Sequence, residues 1–248
     1  MAGPLELTEA GTGAPLVLLH AFPLVPDMWA PQVEALSSRW RVVTPFLDFT
    51  RHPSMEAMAD AVAELVRGLD AGPVVVGGLS MGGYVTMALL GRHPELVRAA
   101  VLADTRDGPD SDEVRERRTR QQAQVAAEGT TPVVEAMAEA LPGPTTKRER
   151  PEVVAHVREL MGRVAPEWVI AALEAMKVRT GSTGVLAASA VPVLVVVGDE
   201  DTVSPPGVAR DMAAAAPSGR LAVVAGAGHL SNLENPVAFN AELEAFLS

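Results

Sequence analysis

The sequence predicts an α/β fold in which a mostly parallel central sheet is flanked by helices. Short apolar runs rich in β-branched residues alternate with helical patterns along the chain. These runs are continuously apolar, as expected for strands buried on both faces of a parallel sheet. The chain has 248 residues and is 48% hydrophobic, which suffices for one large core or for a core with a smaller inserted part.

The individual elements follow from the same patterns. Short apolar runs predict strands over residues 15–20, 41–46, 73–78, 99–104, 192–198 and 220–226. Helical patterns cover residues 27–38, 54–69, 81–92, 205–216 and 234–247. Strand and helix therefore alternate along most of the chain.

Residues 106–183 interrupt this alternation because they contain no strand candidate. Asp110 followed by Glu113 has the spacing of a capping box, which predicts the start of a helix. Further helices are expected over residues 131–141, 147–162 and 166–178. We therefore predict a core made of residues 1–105 and 184–248, with a helical insertion over residues 106–183. The insertion is either a lid over a pocket or a solvated bundle that only extends the fold.

Composition argues against several kinds of function. The formal net charge of −11 argues against nucleic-acid binding, which needs a basic surface. The chain has no cysteine, so disulfides, thiolate metal sites and a cysteine nucleophile are excluded. The first residues lack the pattern of a signal peptide. Glycine and proline interrupt the uncharged stretches over residues 71–91 and 180–198, which argues against membrane helices there. We expect a soluble cytoplasmic protein that binds neither nucleic acid nor membranes.

The segment "GLSMG" over residues 78–82 matches the G-x-S-x-G pattern of a nucleophile elbow, and it lies between a predicted strand and a predicted helix. A sharp turn there would project the hydroxyl of Ser80 from the sheet. The flanking glycines are needed because the chain segments two residues before and after the serine pack closely. The segment lacks the pattern of a phosphate-binding loop, and no G-x-G-x-x-G follows the first predicted strand. Ser80 is therefore the candidate nucleophile.

A serine hydroxyl needs a general base that is oriented by an acid. Of the five histidines, His229 follows the last predicted strand in the glycine-containing segment "GAGHL", which fits the chain order Ser, Asp, His. His20 ends the first predicted strand and is expected to be a structural hydrogen-bonding residue. The acid candidates lie at two strand ends, and they are Asp199, Glu200, Asp201 and Asp104.

The segments "LLHAFPL", "GLSMGG", "VVVGDEDTVSPP" and "GAGHLSNLENP", in this order, make the chain resemble α/β-hydrolase-fold enzymes over nearly its whole length. In this family the acid usually closes a G-x-x-D turn, so the resemblance selects Asp201 and leaves Asp104 as the runner-up. The resemblance also implies an oxyanion hole formed by the backbone N–H groups of Met81 and Phe22. The implied fold is an α/β-hydrolase fold with an inserted helical lid.

Two departures from the family pattern concern the pocket. Ala21 replaces a glycine that is usual before the second oxyanion donor, which restricts the backbone there. Phe46 replaces an acid that is usual after the second apolar strand, and the altered loop is expected to influence substrate choice. The candidate pocket residues are Phe22, Met137 and Trp168, although the last two could instead pack the insertion against the core.

The resemblance implies a serine hydrolase that cleaves small-molecule carboxylic esters or lactones through an acyl-enzyme on Ser80. No metal and no organic cofactor are expected, and no oligomeric state is indicated. Two alternatives within the fold are a cofactor-free haloperoxidase acting as a perhydrolase and a C–C bond hydrolase. A non-catalytic ligand-binding module is an alternative of a different class, but such proteins often lack a member of the triad, whereas all three are present here.

Overall fold

The computed structural model describes residues 3–248, which contain a seven-stranded sheet flanked by helices. The strands are β1 (Leu7–Ala10), β2 (Ala14–Leu19), β3 (Trp40–Pro45), β4 (Val74–Leu79), β5 (Val97–Ala103), β6 (Val193–Gly198) and β7 (Gly219–Val224). Their order in the sheet is β1-β3-β2-β4-β5-β6-β7. Only β1 runs antiparallel to its neighbour, so the expected mostly parallel α/β sheet is confirmed.

The helices of the described residues lie between and after the strands. They are α1 (Ala30–Leu36), α2 (Met55–Gly68), α3 (Met81–Arg92), α4 (Asp112–Glu128), α5 (Thr131–Ala140), α6 (Pro144–Glu149), α7 (Pro151–Met161), α8 (Pro166–Val178), α9 (Thr183–Ala187), α10 (Pro206–Ala215), α11 (Ser231–Glu234) and α12 (Pro236–Leu247). Short 3-10 helices cover Pro26–Trp29 and Pro94–Leu96. No helix of residues 3–248 is both apolar enough and long enough to cross a bilayer.

Every expected strand is present with small shifts at its ends, and the strand that the sequence analysis missed is β1. Two of its four residues, "LTEA", are polar, the strand is largely exposed, and it pairs with β3 at the edge of the sheet. Short polar edge strands carry little hydrophobic pattern, which explains the omission.

Proline residues divide two of the expected helices. The helix expected over residues 147–162 is divided into α6 and α7 because Pro151 excludes the α conformation for Arg150, which has φ −137° and ψ 56°. The helix expected over residues 234–247 begins at Pro236, after the separate short helix α11. The short helix α9 was not expected from the sequence.

The strands at the centre of the sheet position the site. All six residues of β4 are buried, while α3 packs on β4 and β5 and α10 packs on β6 and β7. Because these strands are parallel, the loops after β4, β6 and β7 meet at one edge of the sheet.

The helical segment between β5 and β6, called the insertion below, has its two ends joined by hydrogen bonds. The backbone N–H of Ser182 donates to the carbonyl oxygen of Asp107 at 2.7 Å, and the hydroxyl of Thr183 donates to the carboxylate of Asp107 at 2.6 Å. Within the insertion, α4 packs on α8 and α5 packs on α7. The division of the chain into a core and a lid stays a prediction.

Candidate active site

Ser80 occupies a strained turn between β4 and α3. Its φ of 52° and ψ of −110° lie outside the regions that residues other than glycine normally adopt. Two hydrogen bonds hold this backbone: the Ser80 N–H donates to the Ala103 carbonyl at 2.9 Å, and the Thr105 hydroxyl donates to the Ser80 carbonyl at 2.8 Å. The neighbouring strand β5 therefore fixes the position of the serine.

The glycines on either side of Ser80 leave no space for a side chain. A Cβ atom on Gly78 would lie 2.1 Å from the carbonyl oxygen of Gly82, and a Cβ atom on Gly82 would lie 2.1 Å from the carbonyl oxygen of Leu19. Backbone atoms cannot move aside as a flexible side chain can. The close packing inferred from the G-x-S-x-G spacing is therefore present in the turn.

Three loops bring Ser80, His229 and Asp201 together. His229 Nε2 lies 2.9 Å from Ser80 Oγ, and His229 Nδ1 lies 2.9 Å from Asp201 Oδ2. Both His229 and Asp201 are buried, while Ser80 is half-buried. This is the arrangement in which an imidazole can accept the serine proton while a carboxylate orients the ring.

The charges of His229 and Asp201 stabilise each other. Burial would lower the pKa of His229, but the charge and hydrogen bond of Asp201 outweigh it, so the pKa is raised above its ordinary value. Burial would raise the pKa of Asp201, but His229 and the hydrogen bonds from Ser204 hold it below its ordinary value. The carboxylate is therefore ionised and favours a protonated imidazole.

Ser204 supports the acid and was missed in the sequence analysis. Its hydroxyl donates to Asp201 Oδ2 at 2.7 Å, and its backbone N–H donates to Asp201 Oδ1 at 2.9 Å. The backbone N–H of Val203 donates to the same Oδ1 at 2.7 Å. The spacing of an aspartate and a serine three residues later in "DTVS" is a local turn signal that could have identified it.

Asp104, the runner-up acid, makes other contacts. It accepts hydrogen bonds from the backbone N–H of Gly198 at 2.9 Å and from the backbone and hydroxyl of Ser231 at 3.1 and 2.5 Å. Burial and the nearby charge of Asp201 raise the pKa of Asp104 to about 8. Because His229 Nδ1 is hydrogen-bonded to Asp201, the geometry favours Asp201 as the partner of the imidazole.

Met81 directly follows Ser80, and Phe22 lies in the loop after β2. Met81 is the first residue of α3, so its N–H has no acceptor within the helix. Phe22 follows β2, and its N–H donates to no backbone acceptor in the described residues. Their role as oxyanion donors stays a prediction of the sequence analysis.

Glu234 holds the backbone on both sides of His229, and the sequence analysis did not identify it. Its carboxylate is fully buried and accepts the backbone N–H groups of Gly228 and Leu230, each at 2.9 Å. It also accepts the Gly143 N–H at 2.8 Å and the Thr146 hydroxyl at 2.7 Å, which belong to the insertion. One side chain thus connects the histidine loop to the insertion.

A cavity of about 310 Å³ opens above Ser80 and His229. Much of its wall is apolar and comes from both the core and the insertion, including Phe22, Tyr84, Met137, Leu141, Met176 and Val203. The expected pocket residues Phe22 and Met137 are therefore in the lining.

Trp168 does not contribute to this lining, and its contacts favour the alternative expectation that it packs the insertion against the core. Its indole N–H donates to the carbonyl oxygen of Leu47 at 2.7 Å, and its ring lies 5.9 Å from that of Phe22 and 5.6 Å from that of Phe46, measured between centroids. Trp168 therefore packs the insertion against the loops after β2 and β3. Phe46, the residue that departs from the family pattern, belongs to this aromatic contact.

His20 has a structural environment, as expected. Its Nε2 accepts the Leu47 N–H at 2.9 Å and its Nδ1 lies 3.0 Å from the Ala21 carbonyl oxygen. Burial lowers the pKa of His20 to about 4, so the ring is neutral at pH 7. Within residues 3–248, no three histidine, aspartate or glutamate side chains are grouped so that they could hold a metal ion.

Comparison with known proteins places the chain and its fold in one family. The family described as the alpha/beta hydrolase fold matches residues 14–236. A Mycobacterium tuberculosis protein named as a candidate non-heme bromoperoxidase, BpoC, is 30% identical over 98% of this chain and 97% of its own length. A thermophilic esterase from Thermogutta terrifontis is 38% identical with a TM-score of 0.94, over 98% of this chain and 92% of the esterase. An enol-lactonase from Burkholderia xenovorans LB400 is 26% identical with a TM-score of 0.89, over 98% of this chain and 96% of the lactonase. The protein therefore belongs to the α/β-hydrolase-fold family and is a hydrolase of that fold.

Proposed function

We propose that the protein is a serine hydrolase that cleaves small-molecule carboxylic esters or lactones. The observation that carries the proposal is the hydrogen-bonded series of Ser80, His229 and Asp201, with 2.9 Å at each step, next to a cavity of about 310 Å³. The similarity to a named esterase and a named enol-lactonase supports carbonyl chemistry at this site.

The proposed reaction has two halves. In the first, Ser80 Oγ attacks the carbonyl carbon while His229 Nε2 takes the hydroxyl proton, and the charge of Asp201 stabilises the imidazolium. The N–H groups of Met81 and Phe22 bind the oxyanion, and loss of one such donor typically lowers turnover by ~10²–10³-fold. His229 then gives its proton to the leaving alkoxide, and an acyl-enzyme remains on Ser80.

In the second half, water attacks the acyl carbon and His229 takes a proton from the water. The acyl group leaves as a carboxylic acid, and the proton returns to Ser80 Oγ. No cofactor participates in these steps. The proposal includes a lid role for residues 106–183, supported by the position of Met137 and Met176 in the cavity wall.

Labelling and hydrolysis test the proposal together. We expect the protein to react with a fluorophosphonate and to hydrolyse p-nitrophenyl esters of graded acyl length, with both activities lost in Ser80→Ala. A suitable control is Ser218→Ala, because Ser218 is an exposed serine between α10 and β7. Hydrolysis that persists in Ser80→Ala would exclude the acyl-enzyme mechanism. A protein that binds esters without being labelled would instead be a non-catalytic binding module.

A perhydrolase is the second candidate function, and the similarity to the bromoperoxidase-named protein favours it. In that reaction hydrogen peroxide would replace water in the second half and release a peracid from the acyl-enzyme. Bromide oxidation that depends on acetate, hydrogen peroxide and Ser80 would identify it. Absence of this activity alongside ester hydrolysis would leave the esterase or lactonase reaction as the function.

A further inference from the structure

The wall of the cavity above Ser80 carries an excess of positive charge. Arg106, Arg117 and Arg118 lie in this lining, and Asp110 is the acidic residue that lies with them. The chain as a whole carries a net charge of −11, so this local excess is opposite to the average charge. Much of the remaining wall is apolar.

Asp110 already serves two guanidinium groups. Its Oδ2 lies 2.5 Å from Arg118 Nε, and its Oδ1 lies 2.5 Å from Nη1 of the buried Arg179. Arg179 also lies over the ring of Tyr84, with its Cζ 4.0 Å from the ring centroid. The single negative charge of Asp110 is thus shared by Arg118 and Arg179. It does not neutralise the other arginines of the cavity lining.

Arg106 and Arg117 have no acidic partner within 4.0 Å in residues 3–248. Among the described residues, Arg106 donates a side-chain hydrogen bond to the Val203 carbonyl oxygen. A guanidinium has five N–H donors, so others remain for a ligand. Arg106 also lies close enough to His229 for its charge to oppose protonation of the imidazole. Arg117 lies on an exposed part of α4 at the same cavity. Two cations therefore face the place where a substrate would lie.

We propose that Arg106 and Arg117 bind a carboxylate of the substrate, so that the preferred ester or lactone carries a free carboxylate besides its reacting carbonyl. A planar guanidinium can donate two parallel hydrogen bonds to a carboxylate. The apolar side chains of Met137 and Met176 would contact the carbon chain between the two groups. This inference rests on the proposed hydrolase function and specifies its substrate class.

The first test compares two esters that differ only at the far end of the acyl chain. Mono-p-nitrophenyl glutarate ends in a carboxylate, whereas p-nitrophenyl pentanoate ends in a methyl group. We expect kcat/KM to favour the glutarate ester by about tenfold or more, as for hydrogen bonds to charged groups. Arg106→Gln and Arg117→Gln should each reduce that ratio. Arg120→Gln is the matched control, because Arg120 lies on the same helix and pairs with Glu116 outside the cavity lining.

The second test measures binding without hydrolysis. Calorimetry with the Ser80→Ala variant should detect glutarate binding that weakens by about tenfold in each arginine variant, while the neutral diamide of glutaric acid binds poorly. This measurement also covers substrates whose carboxylate lies on the leaving group. Circular dichroism checks the fold of each variant, and Arg117→Gln, on the exposed helix surface, serves if Arg106→Gln does not fold.

The outcomes separate the two proposals. A glutarate-to-pentanoate ratio near one, together with glutarate binding that neither arginine variant weakens, would overturn the carboxylate site. Ser80-dependent hydrolysis of the pentanoate ester in that case would leave the hydrolase function intact. Glutarate binding that depends on the arginines, in a protein that hydrolyses no ester, would keep the carboxylate site and reject the hydrolase function.

Discussion

At the scale of single residues, the charge of Asp201 controls the protonation of His229. The raised pKa of His229 results from that charge acting against the effect of burial. A general base must be unprotonated before the reaction starts, so the proposed activity should fall as the pH drops through the pKa of His229. The acid limb of the pH profile therefore reports the contact between the two side chains.

Asp201→Asn should move that acid limb to lower pH. The amide carries no charge, so burial would dominate and the pKa of His229 would fall. Turnover at the plateau should decrease by about 10³–10⁴-fold because an amide does not stabilise the imidazolium or its tautomer. The pH dependence of kcat for a p-nitrophenyl ester measures both effects.

The control for this change is Asp199→Asn. Asp199 lies on the same loop, but its carboxylate accepts the Gly226 N–H at 2.7 Å and makes no hydrogen bond to His229. We expect its acid limb to stay in place. An acid limb that stays in place in Asp201→Asn would show that another group sets the protonation of His229.

At the scale of elements, Glu234 in α11 joins the histidine loop to the segment before and within α6. Glu234 Oε2 accepts three hydrogen bonds, from Gly143, Thr146 and Gly228, and its Oε1 accepts one from Leu230. Glu200 makes a parallel connection, since its carboxylate accepts the backbone N–H and the hydroxyl of Thr145. The loops that carry His229 and Asp201 are therefore both fixed to the same short part of the insertion.

Glu234→Gln should disturb this junction without removing a reacting group. In glutamine an NH₂ group replaces one of the two carboxylate oxygens of Glu234. Because NH₂ donates and does not accept, the N–H or O–H groups that bound that oxygen are left without an acceptor. We expect a loss of about 1–3 kcal/mol in the free energy of unfolding. We also expect a decrease in kcat with little change in KM, because the variant displaces His229, the proposed base, and leaves the residues of the cavity wall in place. Urea denaturation and steady-state kinetics measure the two effects.

Glu135→Gln is the matched control, because Glu135 is an exposed residue of the insertion whose carboxylate pairs with Arg158 at 2.9 Å. Exposed ion pairs of this kind contribute about 0–1 kcal/mol. A Glu234→Gln variant that loses stability but keeps its kcat would make Glu234 a structural residue without a positioning role.

At the scale of the whole molecule, sequence patterns predicted the parts that depend on local geometry. The turn at Ser80 leaves a signal within five residues, because backbone atoms of Gly82 next to Gly78 and of Leu19 next to Gly82 require glycine on both sides of the serine. His229 and Asp201 each follow an apolar strand, and parallel strands bring their carboxyl ends to one edge of the sheet. A meeting of Ser80, His229 and an acid at that edge was therefore predictable from the residues, whereas the choice of Asp201 over Asp104 came from the resemblance to the α/β-hydrolase-fold family.

Features that depend on contacts between distant segments were not predictable in this way. Trp168 has the size and apolarity of a pocket residue, but its N–H reaches the Leu47 carbonyl 121 residues away, so the indole packs against the core. Glu234 has a charged side chain that normally lies on a surface, yet it is fully buried with four donors. Neither environment leaves a periodic or spacing signal in the sequence.

The helices of the insertion differ in how firmly they are held. In α4, Val125 is the buried residue, whereas α8 buries Trp168, Leu173 and several smaller apolar side chains. Polar contacts fix α4 instead: Asp110 binds Arg118 near its start, and the Gln122 side chain donates to the Ile170 carbonyl at 3.1 Å. Little apolar area opposes local opening of α4.

Hydrogen exchange should therefore find α4 more labile than the rest of the cavity wall. We expect the amides of α4 to exchange faster than those of α8 and much faster than those of β4, because local opening of α4 exposes little apolar surface. Since α4 contributes Val114 and Arg117 to the cavity lining, its opening would uncover the cavity, and bound glutarate should slow its exchange. Mass spectrometry of exchanged peptides resolves these segments. If the amides of α4 were as protected as those of β4, α4 would not open on its own. The insertion would then be a fixed wall of the cavity and not a moving lid.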